Sequence, residues 1–159
     1  ATYYIIAAGA PLGTIDPGNV NGYPQVNAGT ITAQPGDVFF VDNGVNANTV
    51  IQLANGQTGP ITVNVTQNIT GVSATNGLAT TFNPGIDATV NISAGVDADP
   101  MQWVASPAKS ITVNAANGST VGQITGLPGV DAVNGGSNVT FNGLVFGNST
   151  QATVTVGNE

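Results

Sequence analysis

Apolar and polar residues alternate along much of this chain, and this two-residue period constrains its fold more than any other feature. The cleanest examples are Ile61-Thr-Val-Asn-Val, Ile111-Thr-Val-Asn and Ala152-Thr-Val-Thr-Val. Such a period places one face of a β-strand against a core and the other in water. No segment persuasively repeats apolar residues at helical spacing, and 22 Gly and 9 Pro interrupt the chain. The sequence therefore predicts an all-β fold.

Turn-forming residues separate many short candidate strands. Asn-Gly pairs at 43–44, 76–77 and 117–118 each lie between two of them and predict type I′ hairpins. Short strands with frequent turns indicate a sandwich or a barrel. We find no fixed-period repeat, which argues against a β-solenoid and against a regular ice-binding array. The candidate strands are 30–33, 38–42, 49–54, 61–66, 71–75, 78–82, 88–93, 102–105, 110–115, 120–125, 138–141, 144–146 and 151–156.

The side chains from which most active sites are built are missing. The 159 residues include no His, Cys or Arg, and Lys109 is the single Lys. This excludes Ser-His-Asp and Cys-His nucleophiles and zinc sites with His or Cys ligands. One cation cannot neutralise a phosphate backbone, so nucleic acid is excluded as a partner. We expect no enzymatic activity and no cofactor. No apolar run reaches the roughly 18–20 residues of a membrane helix, so no membrane span is expected.

Charge and sequons together predict an extracellular location. Eight acidic residues give a formal net charge of −7, and so few titrating groups leave the fold little stability to lose in acid. The chain opens at Ala1 without an initiator Met, as expected of a processed product, although an engineered start is the alternative. Six asparagines begin the N-glycosylation pattern, and we expect glycans on some of them: Asn64, Asn68, Asn91, Asn117, Asn138 and Asn148.

The amino end differs from the rest of the chain. Residues 1–12 are uncharged and almost wholly apolar, residues 13–25 form a Gly/Pro linker, and residues 26–159 form the head domain. An exposed strand of this kind promotes aggregation, so it must be covered. It either pairs within its own domain or inserts into a neighbouring subunit as a donor strand, which the linker favours. The side chains expected at that subunit interface are Tyr3, Tyr4, Ile5, Ile6, Ala8 and Leu12.

The apolar tail Ala1-Thr-Tyr-Tyr-Ile-Ile-Ala-Ala, the Gly/Pro linker, the Asn/Thr-rich all-β head and the six sequons resemble the subunits of the archaeal thread filament. This filament is a cell-surface pilus of Sulfolobus-type thermoacidophiles. The resemblance implies an immunoglobulin-like, pilin-like β-sandwich head and donor-strand linkage between successive subunits. It also implies heavy N-glycosylation and roles in adhesion to surfaces or other cells and in biofilms.

Three further positions have a functional and a structural interpretation. Asp97 and Asp99 form a close acidic pair, which fits a turn better than a calcium site. Lys109 is expected in an exposed loop, with an isopeptide bond as the alternative. Trp103 is expected in the core, with sugar stacking as the alternative.

The sequence thus predicts the structural subunit of an extracellular filament, a head-to-tail homopolymer joined by donor strands. The alternative is a non-polymerising or S-layer-type glycosylated cell-surface domain whose first strand pairs internally.

Overall fold

The computed structural model describes residues 1–71, 77–147 and 151–157. Its strands stack as successive coils of a β-solenoid, and every strand pair within these ranges is parallel. The expected immunoglobulin-like β-sandwich is therefore wrong, because such a sandwich consists of antiparallel sheets. The argument against a solenoid is wrong as well.

The strands form three sheets that run along the stack. Sheet A contains β1 (Thr2–Ile6), β2 (Gln25–Asn27), β4 (Val38–Val41), β6 (Gly59–Val65), β8 (Ile86–Ile92), β11 (Ser110–Ala115), β14 (Val130–Gly135) and β17 (Gln151–Thr155). Sheet B contains β3 (Thr30–Ala33), β5 (Thr49–Leu53), β7 (Leu78–Phe82), β10 (Met101–Val104), β13 (Ile124–Leu127) and β16 (Leu144–Phe146). Sheet C contains β9 (Asp97–Ala98), β12 (Thr120–Val121) and β15 (Thr140–Phe141), and a 3₁₀ turn (Ala54–Gly56) follows β5.

A complete coil passes through the sheets in the order A, C, B. The chain runs from β8 to β9 to β10, and β11 then begins the next coil beside β8. Equivalent residues stack in register, so apolar side chains form rows inside the solenoid. One such row, fully buried, is Val63, Val90, Val113 and Val133. Two-residue alternation thus specifies the inner face of each strand, as it would in a sandwich.

The Asn-Gly pairs form corners and not hairpins, contrary to the prediction. Asn43-Gly44 follows β4 and leads towards β5 in sheet B, whereas Asn117-Gly118 follows β11 and leads to β12 in sheet C. Gly118 has φ of +75°, a left-handed conformation that suits Gly. Each pair turns the chain into another sheet, so the strands on either side do not pair. The hairpin predicted at 76–77 includes Asn76, which lies outside the described residues.

The outer face of sheet A carries a ladder of asparagine side chains. Asn91 Nδ2 donates to Asn64 Oδ1, Asn114 Nδ2 to Asn91 Oδ1, and Asn134 Nδ2 to Asn114 Oδ1, each at 2.9 Å. Amide ladders of this kind accompany in-register parallel strands. The ladder therefore fixes the register of four successive coils from the outside, while the valine row fixes it from the inside.

Strand β1 enters sheet A out of chain order. It lies between β2 and β4 and pairs in parallel with both. In sheet B the corresponding strands β3 and β5 pair directly with each other. β1 therefore fills a slot in sheet A that has no counterpart in sheet B.

Candidate assembly site

The slot holds β1 by backbone hydrogen bonds on both of its edges. On the β2 side, Tyr4 N donates to Pro24 O at 2.9 Å and Ala28 N donates to Ile6 O at 2.8 Å. On the β4 side, Asp42 N donates to Ile5 O at 2.9 Å. Because neighbouring strands lie about 4.8 Å apart, removing β1 would leave β2 and β4 too far apart to pair with each other.

The inner face of β1 contributes to the core. Ile5 is buried, and the Tyr3 ring stacks on Phe39 with ring centroids 5.6 Å apart. Ile6, at the end of the strand, is also buried. Aromatic stacking of this kind adds about 0.5–1.5 kcal/mol to the effect of area burial. The slot is thus selective for a strand with large apolar side chains.

The outer face of β1 carries a buried polar cluster around Tyr4, whose side chain is only 1% exposed. The Tyr4 hydroxyl donates to Asp42 Oδ1 at 2.6 Å and accepts from Gln67 Nε2 at 2.7 Å. Burial, reinforced by the hydrogen bond to Asp42, raises the pKa of Tyr4 well above its ordinary value. The phenol therefore keeps its proton and acts as a permanent donor to Asp42.

Asp16, from the linker, completes this cluster. Its Oδ1 lies 3.4 Å from the Tyr4 hydroxyl and accepts from Gly18 N at 2.8 Å. A hydrogen bond with the Asp42 carboxylate raises the pKa of Asp16, and burial raises it further. A protonated Asp16 donates a hydrogen bond to Asp42, which an ionised Asp16 cannot do. Acid therefore stabilises the contact between linker and slot.

The linker folds over the outer face of sheet A and has no strand before Gln25. Its turns are closed by side chains: Gly13 N donates to Gln25 Oε1 at 2.6 Å, and the Asn19 amide bonds to the backbone N and O of Tyr23. The Tyr23 ring stacks on Phe40, with centroids 5.2 Å apart. An added Cβ at Gly18 would lie 2.7 Å from the Tyr4 hydroxyl, so this close approach requires glycine.

Four of the six side chains predicted at a subunit interface occupy the slot of their own chain. These four are Tyr3, Tyr4, Ile5 and Ile6, and β1 ends at the last of them. Ala8 lies beyond the strand and is exposed, and Leu12 is 60% exposed. Insertion of these residues into a second copy remains a prediction.

Sequence reasoning missed the partners of Tyr4. Asp42, Gln67 and Asp16 come from the end of β4, the corner after β6 and the linker, so only stacking of the coils brings them together. The one available signal was the burial expected for the tail, because a buried Tyr hydroxyl requires a hydrogen-bond partner. Nothing in the spacing of these residues identifies which partner it is.

The described sequon asparagines fall into two groups. Asn64 and Asn91 belong to the amide ladder. The other three are exposed at the corner between sheets A and C: Asn68, Asn117 and Asn138. Asn148 lies outside the described residues.

The remaining candidates have structural partners. Asp97 carries a turn, accepting from Asp99 N at 3.0 Å, and among the residues that the structure describes no three His, Cys, Asp or Glu form a group that fits a metal. Lys109 is exposed, with its Nζ 4.0 Å from Asp87 Oδ2. Trp103 is fully buried in the core, as predicted, close to Phe82.

Within the described ranges, no helix is long and apolar enough to cross a membrane. No protein-family model, curated protein or solved structure matches the chain.

Proposed function

We propose that this chain is the structural subunit of an extracellular filament, joined head to tail by exchange of β1 between copies. The observation that carries the proposal is the position of β1, inserted out of chain order between β2 and β4. A slot with two open edges accepts the same strand from any copy, because the same backbone groups and side chains meet in either case. Exchange of an identical element is a low-cost route to assembly.

The free energy gained when β1 fills the slot supports a stable joint between copies. Burial of Tyr4, Ile5 and Ile6 contributes about 1.5–3 kcal/mol for each side chain. The ladder bonds on both edges add to this, and an empty slot would leave β2 and β4 with unpaired edges. The exchanged state and the self-inserted state therefore share most of their contacts, and an open slot is unfavourable in both.

The length of the linker supports exchange between copies stacked end to end. The connection from β1 to β2 comprises residues 7–24, that is, the end of the tail together with the linker. Fully extended, this segment spans roughly 60 Å at about 3.3–3.6 Å per residue. Sheet A, with strands about 4.8 Å apart, extends roughly 35 Å along the stack. This connection is thus long enough to reach the slot of the next copy.

The distribution of exposed apolar side chains also supports a head-to-tail contact. Large apolar side chains with high exposure occur between β1 and β2 and in or just after β16 and β17, towards opposite ends of the stack: Leu12, Ile15, Val20, Val145, Phe146, Val154 and Val156. End-to-end packing of two copies brings these two sets together. Different surfaces meet in such a contact, which yields an open filament.

The extracellular part of the proposal rests on the six sequons. Adhesion to surfaces or other cells and a role in biofilms, which the resemblance to archaeal thread subunits implies, belong to the same proposal. The second candidate is a non-polymerising or S-layer-type glycosylated cell-surface domain. The pairing of β1 with its own chain favours it.

Engineered disulfides distinguish these two candidates, since the natural chain has no Cys. Thr2 and Val38 are direct partners in the β1–β4 ladder, at a separation that a disulfide can bridge. We expect the T2C/V38C variant, assembled under reducing conditions and then oxidised, to give a ladder of covalent multimers on a non-reducing gel. A T32C/Q52C variant, whose disulfide joins β3 and β5 within one chain, should give monomers. Monomers from both variants would contradict strand exchange.

A further inference from the structure

Three sequons lie at the corner between sheets A and C, in three different coils of the stack. Asn68 follows β6, Asn117 follows β11 and Asn138 follows β14. The coils are in contact at this corner: Asp97 N donates to Asn68 Oδ1 at 2.8 Å, and Ser137 N donates to Asn117 Oδ1 at 2.8 Å. The three asparagines thus share one corner of the solenoid, in the coils of β6, β11 and β14, and we name them the corner row.

The corner row is open to modification. All three asparagines are exposed. In Asn68 and Asn117 a backbone N–H group binds the amide oxygen and not Nδ2. N-glycans attach to Nδ2, and a surface loop is the setting in which they are accommodated.

The ladder asparagines Asn64 and Asn91 differ from the corner row because both are half-buried. Asn91 uses both ends of its amide, since Nδ2 donates to Asn64 Oδ1 and Oδ1 accepts from Asn114 Nδ2. Its side chain is half-buried between neighbours one strand spacing, about 4.8 Å, away on each side. A sugar on Nδ2 would have to displace one of these neighbours and break the ladder. Asn64 supplies the acceptor that holds Asn91 in place.

We propose that N-glycans occupy the corner row at Asn68, Asn117 and Asn138, whereas Asn64 and Asn91 stay unmodified because their amides build the ladder. All of these glycans then lie at one corner of the solenoid, between sheets A and C. The outer faces of the described strands of sheets A and B then remain free of sugar. This inference rests on the extracellular part of the proposed function and not on exchange of β1.

The hydroxyl residues of the sequons differ within the corner row. Thr70 and Thr140 are exposed, whereas Ser119 is buried and its Oγ donates to Ala116 O at 2.7 Å. Glycan transfer at Asn117 must therefore precede closure of its corner. Asn68 and Asn138 remain accessible in the folded chain.

Intact-mass and glycopeptide measurements on the full chain, produced in an N-glycosylating host, test this assignment. Trypsin can cleave this chain only after Lys109, so chymotrypsin and an Asp-specific protease are needed to obtain glycopeptides. We expect T70A and T140A each to lose the mass of one glycan. The matched variants T66A and S93A remove the sequons of Asn64 and Asn91 without altering the ladder, so their mass should fall only by the substituted atoms.

Two results would overturn the assignment. One is loss of a glycan in T66A or S93A, and the other is an unchanged glycan mass in T70A or T140A. A chain with no glycan at all contradicts both the corner row and the extracellular location, but it leaves the disulfide test of strand exchange unaffected. If both disulfide variants give monomers and the corner row carries glycans, the filament proposal is rejected and this inference still stands.

Discussion

At the scale of single residues, Tyr4 shows how much of the site follows from the sequence. Its burial is predictable from the apolar tail in which it lies, and the structure confirms that burial. The buried hydrogen bonds to Asp42 and Gln67 are not predictable, because they depend on which coils become neighbours. A sandwich would bring different side chains to the same hydroxyl.

Removing that hydroxyl tests the cluster. In Tyr4→Phe the Asp42 carboxylate loses its 2.6 Å donor and Gln67 loses its acceptor. We expect the free energy of unfolding to fall by about 1–3 kcal/mol, the usual cost of buried polar groups left unpaired. Urea unfolding followed by circular dichroism measures this change.

Tyr23→Phe is the matched control, because the Tyr23 hydroxyl bonds only weakly, at 3.2 Å, to the exposed side chain of Asn21. We expect it to change the stability by less than about 0.5 kcal/mol. Equal effects of the two substitutions would show that the Tyr4 hydroxyl contributes nothing specific.

At the scale of elements, the strands were easier to predict than their pairing. Strands 30–33, 78–82, 110–115 and 144–146 lie where the sequence predicts them. Gln25–Asn27, Asp97–Ala98 and Val130–Gly135 were missed, the first two because they are too short to show a period. Of the predicted strand at 71–75, only Gly71 lies within the described residues, outside any strand.

The contact between linker and slot gives the stability a pH dependence that the low number of charges did not predict. Because the pKa of Asp16 is raised in the folded chain, the native state binds more protons than the unfolded state from about pH 3.9 up to that raised value. The contribution of Asp16 to the free energy of unfolding is therefore fully present below this pH window and is lost as the pH rises through it.

We expect Asp16→Asn to remove this part of the pH dependence, since a neutral amide hydrogen-bonds to Asp42 at any pH. Unfolding midpoints in urea, measured from pH 3 to pH 7, test the expectation. Asn21→Gln changes the same segment without removing a titrating group or creating a sequon, and it should keep the slope of the natural chain. A slope that persists in Asp16→Asn would assign it to another group.

At the scale of the whole molecule, the fold escaped prediction because its repeat has an uneven length. Thr-Val-Asn recurs at 62–64, 89–91 and 112–114, with Ala-Val-Asn at 132–134, and these tripeptides stack in register. The intervals between them are unequal, so no fixed period is visible. Asn-Gly pairs are common to hairpins and to corners, and they do not distinguish an antiparallel from a parallel arrangement.

A stack of coils predicts unequal effects of removing its two terminal strands. Truncation after Gly147 removes β17, whose residues are all exposed, and takes a paired strand from β14 at the end of sheet A but from no inner coil. We expect the thermal midpoint to fall only slightly. Deletion of residues 1–6 opens the slot and should lower the thermal midpoint far more. Thermal unfolding by circular dichroism compares the two, and a larger effect of the β17 truncation would contradict this view of the stack.

Pairing of β1 on both edges has a mechanical consequence. A pull along this strand loads all of its ladder bonds at once, in shear, so they must break together. A pull along the axis of the solenoid instead opens one coil after another, because the bonds between coils point along that axis. Because β1 lies across the axis like every other strand of sheet A, tension along the proposed end-to-end filament loads the bonds of the joint and of the body in the same direction, and shear protects neither.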